Sequence, residues 1–211
     1  MFNYIKFSTI CFLTLIVVKS NAQSSTNTNT YTSYNQYFGN YDILIFVKKT
    51  NNFQLDIYAH SADKLFKTGG ITINKKQHQT FLNAISEAKI KYEEWVKVAK
   101  GNNVKQFYKS MTIENKVSGH FNYGSNNYYD NQVNLSFSFN ISGNNYDETI
   151  LYSLTISTGR LQSDSNQFIE VDGFEITFSS TSQIDEFMNA ISKEKITEFL
   201  SSPKKDDIFK D

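Results

Sequence analysis

The chain has 211 residues, with 21 basic side chains against 21 acidic ones, a single arginine (Arg160), a single cysteine (Cys11) and one proline. A balanced charge with one arginine argues against a nucleic-acid binder, which needs a cationic surplus and planar guanidinium forks. One cysteine excludes a disulfide framework and a cysteine-based metal centre. Eighteen phenylalanines and 13 tyrosines favour a β-rich fold with large core side chains.

Met1 to Lys6 carries one positive charge, Phe7 to Val18 is almost wholly apolar, and Ser20-Asn21-Ala22 supplies the small residues a signal peptidase reads. This pattern predicts an export signal over residues 1–22, cleaved between Ala22 and Gln23, and a secreted or periplasmic protein. The apolar run is short of the roughly 20 residues needed to span a bilayer, and no later stretch of the sequence reaches that length. Cys11 lies inside the signal, away from the cleavage point, so the expected mature chain has neither a lipid-anchoring cysteine nor a thiolate nucleophile. Loss of Lys6 and Lys19 with the signal leaves 19 basic against 21 acidic side chains, a net charge of −2.

Gln23 to Gln36 is polar and lacks an apolar period, and reads as a flexible leader. The domain is expected over residues 37–203. Ile43, Ile45 and Val47 mark a first strand and Phe53, Leu55 and Ile57 a second, joined as a hairpin through Thr50-Asn51-Asn52. Gly69-Gly70 precedes a short strand, Ile71 to Ile73. Asn74, with Gln77 three residues on, forms a capping box. Phe81, Ile85, Ala88, Tyr92, Val96 and Ala99 then trace one apolar stripe on a helix of about 25 residues, about 37 Å long, that stops at Gly101-Asn102-Asn103.

Beyond the helix, Phe107 to Val117 and Gly119 to Tyr123 read as strands, and Gly124 to Asn131 as a loop. Val133, Leu135, Phe137, Phe139 and Ile141 alternate without fault against polar neighbours, the clearest half-buried strand of the chain. Ile150 to Ile156, Phe168 to Val171 and Phe174 to Phe178 are further strands, with turns at Gly143-Asn144-Asn145 and Asp164-Ser165-Asn166. Ser182 and Asp185 open a second amphipathic helix reaching Leu200. Pro203 ends it, and residues 204–211 form a charged tail expected to be disordered.

Phe81-Leu82-Asn83-Ala84-Ile85-Ser86 returns as Phe187-Met188-Asn189-Ala190-Ile191-Ser192. Each copy follows a strand-like triplet, Ile71-Thr72-Ile73 or Ile176-Thr177-Phe178, and precedes a matching Lys-Ile pair. Duplication accounts for these matches better than chance convergence of two amphipathic helices. The expectation is an α+β fold with largely antiparallel sheet, two long amphipathic helices on one side, and two related halves over residues 37–103 and 104–203.

Motifs for catalysis are absent. His60, His78 and His120 show no metal-ligand spacing, and there is no H-E-x-x-H, G-x-S-x-G or phosphate-binding loop. Glu93 and Glu94 are adjacent on a helix and diverge; Asp56, Glu170 and Asp172 lie on or beside strands, and nothing in the sequence pairs them. Trp95 lies beside the helix stripe and reads as packing. The one surface feature that suggests recognition is Tyr123, Asn126, Asn127, Tyr128 and Tyr129, because aromatic faces beside amide groups suit sugar rings or a protein partner. The alternative at that place is a polar hairpin loop whose tyrosines fold back onto the sheet edge.

The sequence therefore predicts an exported, non-enzymatic binding or structural module of the cell envelope or extracellular space, with no cofactor or metal and with a protein, envelope or glycan partner. The alternatives are a secreted hydrolase that gathers carboxylates and histidines from strand ends, and a small-ligand carrier.

Overall fold

The computed structural model describes residues 26–35, 39–48, 53–61, 68–143 and 149–201. The export signal, its cleavage point, the Thr50-Asn51-Asn52 turn and the charged tail lie outside them. In chain order the elements are β1 (Thr26–Asn35), β2 (Gly39–Lys48), β3 (Gln54–Tyr58), β4 (His60–Ser61), β5 (Gly69–Asn74), α1 (Lys75–Gly101), β6 (Gln106–Met111), β7 (Lys116–Tyr123), β8 (Asn126–Asn134), β9 (Ser136–Gly143), β10 (Ile150–Ser157), β11 (Leu161–Ser163), β12 (Asn166–Val171), β13 (Phe174–Phe178), α2 (Thr181–Ala190) and α3 (Lys193–Ser201). The fold is α+β and dominated by antiparallel sheet. Six strands form one sheet in the order β1-β2-β3-β5-β7-β8, five form a second in the order β4-β13-β10-β9-β6, and β11 and β12 make a small separate ribbon. Among the described residues no helix is long and apolar enough to cross a membrane.

Alternation sets the register of the sheets. Ile43, Ile45 and Val47 on β2, Leu55 and Ile57 on β3, and Ile71 and Ile73 on β5 are buried on one face of the first sheet. Phe137, Phe139 and Ile141 on β9, Leu154 and Ile156 on β10, and Phe174, Ile176 and Phe178 on β13 do the same for the second. All belong to one core cluster. A one-residue slip would turn each of these rows to the opposite face, so burial fixes the pairing.

Two strands expected to be single are divided between the sheets. The run from Phe107 to Val117 splits into β6, in the second sheet, and β7, in the first, with Thr112–Asn115 between them outside either ladder. The run from Val133 to Ile141 splits at Leu135 into β8 and β9. The two divisions are one event. Met111 faces Phe137 and Lys116 faces Asn134, and at the corner the Leu135 N–H donates to the Asn115 carbonyl at 2.9 Å. Residues 106–143 are thus one long bent ribbon whose two halves belong to different sheets. Met111, Ile113, Asn115, Val117 and Gly119 are all buried through the bend, so the period of two continues unbroken while the partner strand changes.

The helices depart from expectation in a different way. Asn74 caps α1 as predicted: its side-chain oxygen accepts from the amides of Lys76 (2.9 Å) and Gln77 (3.1 Å), and Gln77 accepts from the Asn74 amide (3.1 Å). The helix ends at Asn102, with Asn103 at φ 52°. Its 27 residues reach about 40 Å, from β5 and β7 across to β10. The second helix, however, is capped at Ser180, not Ser182, and breaks into α2 and α3. The cause is in the repeat itself. The Ile191 carbonyl accepts from His78 Nε2 of α1 at 2.6 Å, while the Lys195 amide goes to the Ser192 hydroxyl at 3.2 Å and caps α3. Among the described residues there are therefore one long helix and two short ones.

The polar segment read as a leader contains β1, which pairs with β2 from Thr26 opposite Val47 to Asn35 opposite Gly39. An edge strand needs only main-chain partners, and its Thr and Tyr residues have high strand propensity, so it requires no apolar period.

The seam between the sheets is tight at Gly69. A Cβ there would lie 2.2 Å from the Phe174 ring and 2.6 Å from the His120 carbonyl. Gly69→Ala is expected to destabilise the protein by about 1–3 kcal/mol, the usual cost of overpacking a core, read as a lower urea midpoint at an unchanged slope.

Candidate functional site

The residues singled out for recognition lie on the β7–β8 hairpin, not in a loop. Gly124 and Ser125 make the turn, with Gly124 at φ +61°, a conformation that favours glycine. Tyr123 then faces Asn126, Asn122 faces Asn127, Phe121 faces Tyr128 and His120 faces Tyr129. The strand period separates the three tyrosines. Tyr128 points to the core side and stacks on Phe121, with ring centroids 5.8 Å apart and planes at 27°. Tyr129 is on the opposite face and half exposed, and Tyr123 at the tip is 45% exposed. Asn126 and Asn127 are exposed.

The free flank of β8 is clamped by the small ribbon. Asp164 Oδ2 accepts from the Asn131 amide (3.0 Å) and from its side chain, the Asp164 amide donates to the Tyr129 carbonyl (2.9 Å), and Asp130 Oδ2 accepts from the Gln162 amide (3.1 Å). These bonds stop below the tip, so the hairpin end projects on a braced stem.

Behind Tyr129, on the same face of the sheet, is a polar cluster the sequence did not reveal. Asp56 is 3% exposed and accepts from Lys48 Nζ, from Gln54 Nε2 at 2.9 Å and from the Thr72 hydroxyl at 2.9 Å. The Thr72 oxygen also lies 3.0 Å from His120 Nδ1. An ionised carboxylate only accepts, so Thr72 donates its one proton to Asp56. His120 must then carry its proton on Nδ1 and donate to Thr72. That tautomer leaves Nε2 with a bare lone pair, and the atom is buried with no partner. The Tyr58 ring meets the His120 ring edge-on at 4.6 Å, and Phe46 meets Tyr58 at 5.3 Å.

The charges follow from this packing. Burial alone would raise the Asp56 pKa, but hydrogen bonds from Lys48 and Gln54 and the nearby His120 outweigh it and hold the carboxyl below the usual range. Burial likewise opposes the charge of Lys48, yet the hydrogen bond and charge of Asp56 leave its pKa raised. Burial lowers the His120 pKa from 6.5 to about 4, against a smaller upward pull from Asp56. The Tyr58 hydroxyl is raised, chiefly by burial and then by Asp56.

The other groups considered from sequence do not converge here. His78 is buried and engaged with Ile191, and the β4 residue His60 stands opposite Glu175 across the β4–β13 ladder. Glu94 is exposed, Glu93 lies 3.9 Å from Lys89, and Glu170 pairs with Arg160 at 3.0 Å. Trp95 is half-buried against Phe139 at 5.7 Å, with Lys109 Nζ 4.6 Å over its ring. It borders a shallow apolar groove of about 360 Å³ between α1 and the β6 edge. A second groove, of about 680 Å³, opens at the start of α1. Neither groove is lined by a histidine. Among the described residues no three His, Cys, Asp or Glu side chains are grouped so as to hold a metal ion.

Comparison with protein-family models, with characterised proteins and with solved structures gives no match.

The acid limb of stability should report the cluster. His120 is neutral in the folded protein down to about pH 4 but takes a proton near 6.5 when unfolded. The unfolded state therefore binds more protons in that window, and stability falls as pH drops from 6.5 towards 4. Asp56, with its lowered pKa, adds a further loss below its unfolded value of 3.8. Urea denaturation across this range is expected to lose a few kcal/mol. His120→Gln should flatten the limb between pH 6.5 and 4 and leave the Asp56 limb in place. An unchanged slope in that variant would assign the acid sensitivity elsewhere.

Proposed function

We propose that this chain is an exported, non-enzymatic binding or structural module of the cell envelope or extracellular space, and that it meets a protein or envelope glycan partner at the tip of the β7–β8 hairpin. The observation that carries the reading is the braced presentation of Tyr123 and Tyr129, half exposed beside exposed Asn126 and Asn127. Tyrosine supplies large contact area at low rotamer cost, and the adjacent amides supply adaptable hydrogen bonds. Immobilising the stem before binding reduces the ordering cost that a loop would incur.

A hydrolase centred on His120 draws less support. Its Nε2 is a bare base, but burial holds its pKa near 4, poorly matched to general-base work at neutral pH, and neither of the two grooves is lined by it. The reading of two duplicated halves draws support from the order of elements. A three-stranded meander followed by a helix occurs as β2-β3-β5-α1 and again as β9-β10-β13-α2. Burial matches position by position in the repeated hexapeptide: Phe81 and Phe187 are both 0% exposed, as are Ile85 and Ile191, and Asn83 and Asn189 are both exposed.

The test is capture of crosslinked partners from the native host by the tagged protein. Replacing Tyr123 and Tyr129 together by Ala should reduce capture several-fold while leaving the melting temperature nearly unchanged. Capture equal to the parent would remove the hairpin from the binding surface. Tyr128→Ala is expected to behave differently, losing about 1–3 kcal/mol of stability through its stacking on Phe121.

A further inference from the structure

Among the described residues the two large sheets end in four edge strands, β1 and β8 of the first and β4 and β6 of the second. An edge presents unpaired N–H and C=O groups that can template another strand, and proteins blunt it with a bulge, a cover or a short length. β1 carries a register shift between Asn27 and Asn29, β8 is flanked by the small ribbon, and β4 has only two residues. β6 has none of these devices. Its six residues pair with β9 in unbroken register, from Gln106 opposite Ser142 to Met111 opposite Phe137, and no described strand lies on its other side. Nor does its lysine guard the edge, because Lys109 Nζ is folded over the Trp95 ring at 4.6 Å.

The same edge exposes apolar surface. Phe107 is 44% and Tyr108 66% exposed, and Phe107 borders the apolar groove of about 360 Å³ that Trp95, Val98 and Phe139 also line. Alternation puts Phe107 and Lys109 on the α1 face. Tyr108 and Ser110 take the other face, with their hydroxyls 3.4 Å apart. Glu94 and Lys109 both line the groove, so the patch carries both signs of charge, as a surface that meets its own copy requires.

We propose that β6 is a dimerisation strand, pairing antiparallel with β6 of a second copy of this chain about a two-fold axis and joining two five-stranded sheets into one of ten strands. Charge selects the register. A two-fold axis normal to the sheet keeps like faces together, so it passes through a residue position. Centred on Lys109, it sets two ammonium groups opposite each other. Centred on Phe107, it sets Lys105 opposite Lys109 twice. Like charges directly opposite are destabilising. Centred on Tyr108, Phe107 of each copy faces Lys109 of the other, which gives two cation–aromatic pairs on the α1 face. The two Tyr108 rings meet on the opposite face, and the two grooves adjoin on one side of the joined sheet. β6 lies at the other end of the bent ribbon from Tyr123, so both tyrosine tips stay open.

Sedimentation equilibrium of the purified protein tests it. One strand edge and a shallow groove belong with weak, reversible interfaces, those below about 1,200 Å². A monomer–dimer equilibrium is therefore expected, with a Kd of about 10–100 µM. Phe107→Lys sets lysines opposite each other in both flanking pairs and should weaken the dimer at least about tenfold. Phe107→Glu sets a carboxylate opposite each Lys109 and should hold the dimer near the parental affinity. Both remove the same ring from Phe139, so the difference between them reads the register and not a cost to folding. Tyr108→Lys, on the other face, puts two ammonium groups at the axis and should leave a monomer. A parent that stays monomeric to about 500 µM overturns the proposal, as does growth past a dimer, which a closed two-fold forbids. Equal association of the two Phe107 variants, or a dimer indifferent to Tyr108→Lys, overturns pairing through β6 centred on Tyr108.

Discussion

The main-chain continuity of the ribbon over residues 106–143 is the constraint on which the fold rests. Its ladder runs from Gln106 opposite Ser142 to Tyr123 opposite Asn126, so whatever orients one sheet orients the other. The bend lies at Thr112–Asn115 on one arm and Leu135 on the other, and the single bond from the Leu135 amide to the Asn115 carbonyl carries the pairing through it. Two sheets joined this way present one continuous apolar core, and α1 lies against both, on β5 and β7 of the first and β10 of the second. Phe81 and Ile85 pack at its start, and Tyr92 reaches the β10 main chain, its hydroxyl donating to the Tyr152 carbonyl at 3.3 Å. Burial of the Tyr92 ring pushes that phenol up to about 12, so it remains a donor at any physiological pH. The second copy of the helical repeat is then held at its end by His78, which ties α2 to the first turn of α1.

Much of this was legible in the sequence because period and burial coincide. The rows on β2, β3, β5, β9, β10 and β13 were evident from alternation, and α1 from its stripe, its Asn74 cap and its Gly101-Asn102-Asn103 stop. The failures have particular physical causes. Alternation reports which face a side chain takes but not which strand pairs with it, so the crossings at Asn115 and Leu135 left no trace. β1 is held by main-chain bonds to β2, which polar residues make as well as apolar ones. Asn126 to Asp130 read as a loop for the same reason: β8 is an edge strand whose one inward aromatic, Tyr128, looks in sequence like its exposed neighbours. The break between α2 and α3 depends on a carbonyl captured by a residue 113 positions away, which no local pattern encodes. Of the candidate site, Tyr123, Asn126, Asn127 and Tyr129 were legible as exposed side chains. The cluster behind them was not, because Lys48, Asp56, Thr72 and His120 come from four strands.

Two of the buried polar places among the described residues, around Asp56 and at Asn115, differ in how far the fold satisfies them. Around Asp56 every carboxylate oxygen has a donor, Lys48 has its counter-charge, and the tautomer of His120 completes the chain through Thr72. A buried charge removed from water costs several kcal/mol unless its partners are close and well directed, and here they are supplied within the sheet. Only His120 Nε2 is left over, and the imidazole meets that condition by remaining uncharged. At the ribbon corner the opposite holds. Asn115 has neither donor nor acceptor supplied, and the neighbouring first turn of α1 bears lysines where the helix dipole favours acids. The buried Asn115 amide has no partner among the described residues, and burying it so opposes folding. Local conflicts with folding rules concentrate at functional places because selection retains them only against a gain elsewhere. The Asn115 amide is such a conflict, whereas the cluster behind Tyr129 sets its two charges beside their partners and is accounted for by folding alone.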